Sequence, residues 1–232
     1  QVLAHGLVNP VRMFCGSNQS GKTTWLEAEV LSMCLRYRPW ELRECEDGEP
    51  GDDSEWDIGP VQGMIAAKDF VNAHAEVIIP KMRQMIPFDY LVSGVDRIQG
   101  RVLHKVHLFN GSSIKLMGYE QPAEKMEGAT WDVVGLDEPA PQGHFIAIQR
   151  GCMARRAPIV MAFTPTKEAW LHDLYSEAVH VGSEVDLARA EGADIAAVTI
   201  MMDENPHVPV EEKERYCRML PVEAREARIY SR

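Results

Sequence analysis

Residues 11–25 read VRMFCGSNQSGKTTW. The mostly apolar run Val11–Cys15 suits a buried strand and ends directly at Gly16. From Lys22 the pattern changes, and Trp25, Leu26, Val30, Met33 and Cys34 recur at helical spacing. Between the two lies G-x-x-x-x-G-K-[ST], satisfied by Gly16, Gly21, Lys22 and Thr23. Strand, glycine loop and helix in that order make a cradle for phosphate, because backbone N–H groups and the helix start face the anion together. Gly16, Ser17, Asn18, Gln19, Ser20, Gly21, Lys22, Thr23 and Thr24 are the candidate binding residues. In such a cradle Lys22 reaches the β- and γ-phosphates of ATP, and the Thr23 hydroxyl ligates Mg²⁺.

A second acidic strand completes the pattern. Trp131-Asp-Val-Val-Gly-Leu-Asp-Glu138 reads as an apolar strand ending in two carboxylates, and 115 residues separate Lys22 from Asp137. In an open parallel sheet the ligand lies beyond the carboxyl ends of the strands. Asp137 there is the second candidate Mg²⁺ ligand, and Glu138 the candidate base for a water attacking the γ-phosphate. Pro158–Thr164 is a further apolar strand, and the Thr164 hydroxyl at its end is placed to sense the attacking water or the γ-phosphate. A Thr-Pro turn leaving a strand is also ordinary loop chemistry.

Elsewhere, residues 61–67 and 195–202 read as strands, and a helical segment runs through Phe70, Val71, Ala75, Ile78 and Ile79, with Pro80 expected to interrupt it. Residues 102–118 form two strand-like runs around Asn110-Gly111, a hairpin signal. The alternation predicts a mostly parallel α/β sheet flanked by helices, with the hairpin as an insertion. The long interval before Asp137 leaves room for another strand between the nucleotide strand and the acidic one, the additional-strand (ASCE) type of P-loop NTPase.

Composition sets bounds on partners and compartment. The chain has 232 residues, 45% hydrophobic and 7% aromatic, with a formal charge of −11. Residues 44–59, ECEDGEPGDDSEWDIG, hold eight acids and no base, which leaves about −3 for the rest. That segment reads as a solvated loop, and basic runs at 97–105 and 150–156 remain available to meet phosphate. No apolar run is long enough for a membrane helix, and the start lacks a secretory layout. A first residue other than Met suggests a piece of a longer protein. Five cysteines, widely spaced, read as reduced thiols, and the eight histidines as structural or solvated.

Four strings together, GSNQSGKT, KMEGATWDVVGLDEPAP, VMAFTPTKEAWLHDLY and DENPHVPVEEKERY with LPVEAREARIYSR, resemble the large terminase subunit of tailed bacteriophages. The resemblance covers most of the chain and implies the ATPase half of a viral DNA-packaging motor. It implies a core over 1–205, a small helical lid or linker over 206–232, and no nuclease domain in this chain. Implied partners are double-stranded DNA, a portal protein, a small terminase subunit and a homo-oligomeric ring, usually of five. The implied compartment is the cytoplasm of an infected bacterium. Lys22, Asp137 and Glu138 match the family's hydrolytic residues, Thr164 its coupling motif, and Gln1 the position of an adenine-reading glutamine. The sequence departs from the pattern at the arginine finger: neither Ser17–Ser20 nor Glu127, beside Gly128, supplies one. Arg101, Lys125, Arg150 and Arg155 are candidates.

Other classes share parts of this pattern. A helicase-like, nucleic-acid-dependent ATPase uses the same core with further strand-tracking motifs. A P-loop kinase has to exclude the water that Glu138 is placed to activate. A non-catalytic nucleotide scaffold has no need of the full set of Lys22, Thr23, Asp137 and Glu138.

Overall fold

The computed structural model describes residues 2–17, 20–35, 60–86, 97–99, 102–108, 110–164, 168–201, 204–205 and 208–220. Gln1, Asn18, Gln19, Arg101 and the acidic segment 44–59 lie outside these residues. The described strands are β1 (Val11–Gly16), β2 (Gln62–Ala67), β3 (Arg97–Gln99), β4 (Val102–His107), β5 (Ser113–Gly118), β6 (Val133–Asp137), β7 (Ile159–Phe163), β8 (Val179–His180) and β9 (Ile195–Ile200). They form one nine-stranded sheet in the order β3-β4-β5-β2-β6-β7-β1-β9-β8. All its pairings are parallel except β3 with β4 and β4 with β5.

The helices are α1 (Val2–His5), α2 (Lys22–Leu35), α3 (Ile79–Met85), α4 (Glu124–Glu127), α5 (Gln142–Met153), α6 (Ala169–Glu177), α7 (Glu184–Ala190) and α8 (Val210–Met219). Helices cover both faces, as parallel strands require. One core gathers Phe14, Trp25, Leu26, Val30, Ile65, Phe70, Ile78 and Met82 under α2 and α3. The other gathers Met13, Met64, Met117, Met126, Trp131, Phe145, Met161 and Phe163 under α4, α5 and α6. Alternate residues of β1 feed opposite cores, Met13 and Cys15 into one and Phe14 into the other, as the period of two dictates.

The close docking of α2 on the sheet depends on missing side chains at Gly63, where a Cβ would stand 2.8 Å from Cys34 Sγ, and at Gly135. A Cβ at Gly135 in β6 would stand 2.9 Å from Val30 Cγ2 and 3.0 Å from Leu26 Cδ2. Phe14 then packs edge-on against Trp25, with centroids 5.1 Å apart, fixing the helix above its own strand.

Three sequence expectations change in detail. The extra strand between β1 and β6 exists, but β7 supplies it from downstream of Asp137; the long interval instead builds β2 to β5 on the far side of β6. The hairpin is not a separate insertion, since β5 pairs in parallel with β2 and continues the sheet. Pro80 does not break the helix. Residues Phe70–Ile78 form a wide π-helical segment, the Ile79 N–H still bonds to the His74 carbonyl, and Pro80 falls in the first turn of α3, where its missing donor costs nothing.

Candidate nucleotide site

The site forms where β1, β7 and β6 end side by side. Phe14, Ala162 and Asp137 occupy one row of the ladder, so Gly16, Thr164 and Glu138 emerge from neighbouring strands at the same edge. The Glu138 N–H donates to the Ala162 carbonyl at 2.8 Å, extending the pairing past the strand end.

The loop after β1 is tightly folded. Gly21 has φ +86°, left-handed backbone that favours glycine, and it turns the chain into α2. A Cβ on Gly16 would stand 2.3 Å from Ser20 Oγ, so the loop closes over its own start. Ser17 and Ser20 are buried with hydroxyls that have no hydrogen-bond partner, and Lys22 Nζ donates to the Ser17 carbonyl at 2.9 Å. A buried lysine whose hydrogen bond goes to a carbonyl of the loop itself is a cation held for an anion. Burial lowers the affinity of Lys22 for its proton, and the Glu138 and Asp137 carboxylates oppose that shift. Thr24 is exposed on the first turn of α2.

Thr23 Oγ1 donates to Asp137 Oδ1 at 2.9 Å, joining the helix start to the end of β6. Asp137 is pushed up to about 6, mainly by burial; the Thr23 hydrogen bond and Lys22 pull the other way, and Glu138 adds to the rise. A carboxylate this costly to ionise, beside a hydroxyl oxygen, suits a small hard cation that brings its own waters.

Glu138 has φ +61°, strained for a residue with a side chain. Its Oε2 accepts a long 3.5 Å hydrogen bond from the Thr164 N–H, which puts the acid at the end of β6 in direct contact with the threonine after β7. Behind them, the Tyr119 hydroxyl faces three carbonyls, those of Ala66 at 3.1 Å, Glu138 at 3.3 Å and Asp137 at 3.4 Å. Tyr119 therefore clamps the turn that carries both acids.

Two more charged residues belong to this neighbourhood. Glu27, one turn beyond Thr23 on α2, is fully buried with both carboxylate oxygens unpartnered. Burial pushes it up to about 9, against the pull of Lys81 on α3. The Lys81 charge is also felt at Lys22 and Asp137. Neither residue is part of the phosphate-loop pattern. Only an acid among the apolar positions of a predicted helix, Glu27, gave a hint.

Two of the finger candidates, Arg150 and Arg155, lie elsewhere. Arg155 pairs with Asp132 at 2.7 Å and Arg150 with Glu127 at 2.9 Å. Asp132 precedes β6, so Arg155 sits at the opposite edge of the sheet from Glu138, six residues along the strand or about 20 Å away. The Trp131 N–H bonds to the Gly151 carbonyl, which holds Arg150 near that same far edge and excludes it as a finger in its own subunit's site.

The sequence model of the terminase large subunit, T4likevirus-type, N-terminal family matches residues 13–228. The chain belongs to the terminase large subunit family. It is an ATPase of the DNA-packaging motor, and the helicase, kinase and scaffold alternatives fall away. Solved terminases share the fold. The ATPase domain of the Thermus phage P74-26 large terminase is 18% identical, with TM-score 0.66, over 99% of this chain and 91% of that one. The large terminase of a second, thermophilic bacteriophage is 17% identical, with TM-score 0.65, over 94% of this chain and 47% of that one. A comparison with curated protein sequences gives no match. Among the described residues no helix is long and apolar enough to cross a membrane.

Proposed function

We propose that this terminase domain hydrolyses Mg²⁺-ATP with the residues gathered at the carboxyl edge of β1, β6 and β7. The observation that carries the reading is the contact of Thr23 with Asp137 beside a buried Lys22. Residues 16–24 cradle the phosphates, and Lys22 gives up its bond to the Ser17 carbonyl for the β- and γ-phosphates. Thr23 and Asp137 hold Mg²⁺, which when bound neutralises charge on the phosphate oxygens. Glu138 accepts the proton of the attacking water. Thr164, bonded through its N–H to Glu138, feels the change at that carboxylate and passes it to the segment after β7. Gln1 is the proposed adenine reader.

Hydrolysis of ATP falls to this chain, with 1–205 as the core and 206–232, including α8, as a lid or linker. Its partners are double-stranded DNA, a portal protein, a small terminase subunit and further copies in a ring of five, in the cytoplasm of an infected bacterium. Arg150 and Arg155 are engaged at the far edge of their own subunit, which favours a finger supplied by a neighbouring subunit. Hydrolysis rate against protein concentration tests this. Specific activity should rise as the protein is concentrated, and a rate per molecule independent of concentration contradicts a site completed in trans.

A further inference from the structure

The edge of the sheet carries cations in one row. Lys105 of β4 and Lys115 of β5 are direct partners in antiparallel register, so their side chains leave the same face. One strand further out, Arg97 holds the register position opposite Lys105. Like charges placed directly opposite destabilise a sheet, and the chain as a whole is acidic at −11. An anion from outside would offset that repulsion. Lys115 Nζ stands 5.8 Å from the centre of the Trp131 ring, which gives the half-buried side chain a fixed support. Burial, Lys105 and the exposed Lys125 of α4 all make its proton easier to lose. The nearby acids Glu127 and Asp132 are taken by Arg150 and Arg155. Among the described residues, Lys105, Lys115 and Lys125 have no carboxylate within ion-pair distance.

We propose that the Lys105–Lys115 pair, flanked by Lys125, grips the phosphate backbone of double-stranded DNA without reading its sequence. This rests on the packaging function and adds to it the surface that touches DNA. Neighbouring strands place the two lysines about 4.8 Å apart at the backbone, and a duplex presents one negative charge per about 1.7 Å of its axis. Several phosphates thus fall within reach of ammonium groups that are already crowded together.

Equilibrium binding of a fluorescent duplex over a salt series tests the assignment, with Lys105→Gln/Lys115→Gln compared against Lys105→Arg/Lys115→Arg. Each lost phosphate contact should take roughly one unit from the slope of log affinity against log salt, and the Gln pair should bind on the order of tenfold to a hundredfold more weakly. The Arg pair should keep slope and affinity, the Gln pair should melt no lower than the wild type because it loses the repulsion, and all forms should share one basal ATPase rate. Wild-type binding that the Gln pair leaves unchanged overturns the row alone. Failure of the wild type to bind duplex even at low salt overturns both the row and the reading beneath it. A Gln pair that keeps DNA affinity but loses self-association gives the row to a second copy of the chain, and also overturns the proposal.

Discussion

The hydroxyl of Thr23 stands 2.9 Å from Asp137 Oδ1, so the first turn of α2 and the last residue of β6 are joined at the proposed Mg²⁺ position. The bond links two residues 114 positions apart. Both groups are oxygen donors, and both lie beside Lys22.

Thr23→Val should leave binding of metal-free ATP nearly intact and remove most of the gain in affinity that Mg²⁺ brings, by roughly tenfold or more. Isothermal titration with and without Mg²⁺ reads the difference directly. Equal losses in both titrations place Thr23 in the phosphate cradle rather than at the metal.

Glu138 combines strained backbone with the proposed chemistry, so its two roles separate by substitution. Glu138→Gly relieves a positive-φ cost of about 1–3 kcal/mol, less about 0.4–1 kcal/mol for the entropy of glycine, and should melt at or above the wild-type temperature. It should nevertheless turn over no ATP. A destabilised Gly variant means that the carboxylate contributes more to the fold than the backbone strain removes.

The buried Glu27 gives stability a sign with pH. Its affinity for a proton rises on folding, from the ordinary 4.5 to about 9, so the folded chain holds a proton that the unfolded chain releases. Stability contributed by this group is full below the unfolded value and declines as pH rises from about 4.5 towards 9. Glu27→Gln keeps the shape without the ionisation. It should flatten the decline and gain on the order of 1–3 kcal/mol over the wild type at about pH 8 in urea unfolding. Parallel pH profiles for the two proteins rule this account out.

Gly135 sets the height of α2 above the sheet. Gly135→Ala adds a methyl within 3.0 Å of Leu26 and Val30, and should cost about 1–3 kcal/mol. Because α2 also carries Lys22 and Thr23, ATP affinity should fall with stability. A variant that loses stability alone shows that the helix start is held independently of its middle.

Much of this arrangement was legible before the structure, for local reasons. A glycine loop between an apolar run and a helical pattern has few alternatives, and an acid after VVGL has to fall at a sheet edge. The origin of β7 as the intervening strand was not legible, because strand order depends on long-range pairing that spacing does not encode. Pro80 misled for a related reason: the penalty for proline presumes an α-helical partner four residues back, and the π-helical segment removes that partner. Tyr119 and Lys81 escaped notice because each looks ordinary in one dimension, and Glu27 showed only as an acid among apolar helix positions. Their roles come from groups brought together by folding, three carbonyls for Tyr119 and the two acids Glu27 and Asp137 for Lys81.

The central claim is that Glu138 activates water at a site that binds ATP without it. A single-turnover quench of Glu138→Gln, alongside its ATP affinity, tests this most directly. ATP affinity should be equal to or tighter than that of the wild type, with the chemical step slowed by on the order of 10²–10⁴-fold. Unchanged hydrolysis in Glu138→Gln, or a loss of ATP binding that matches the loss of rate, would contradict it.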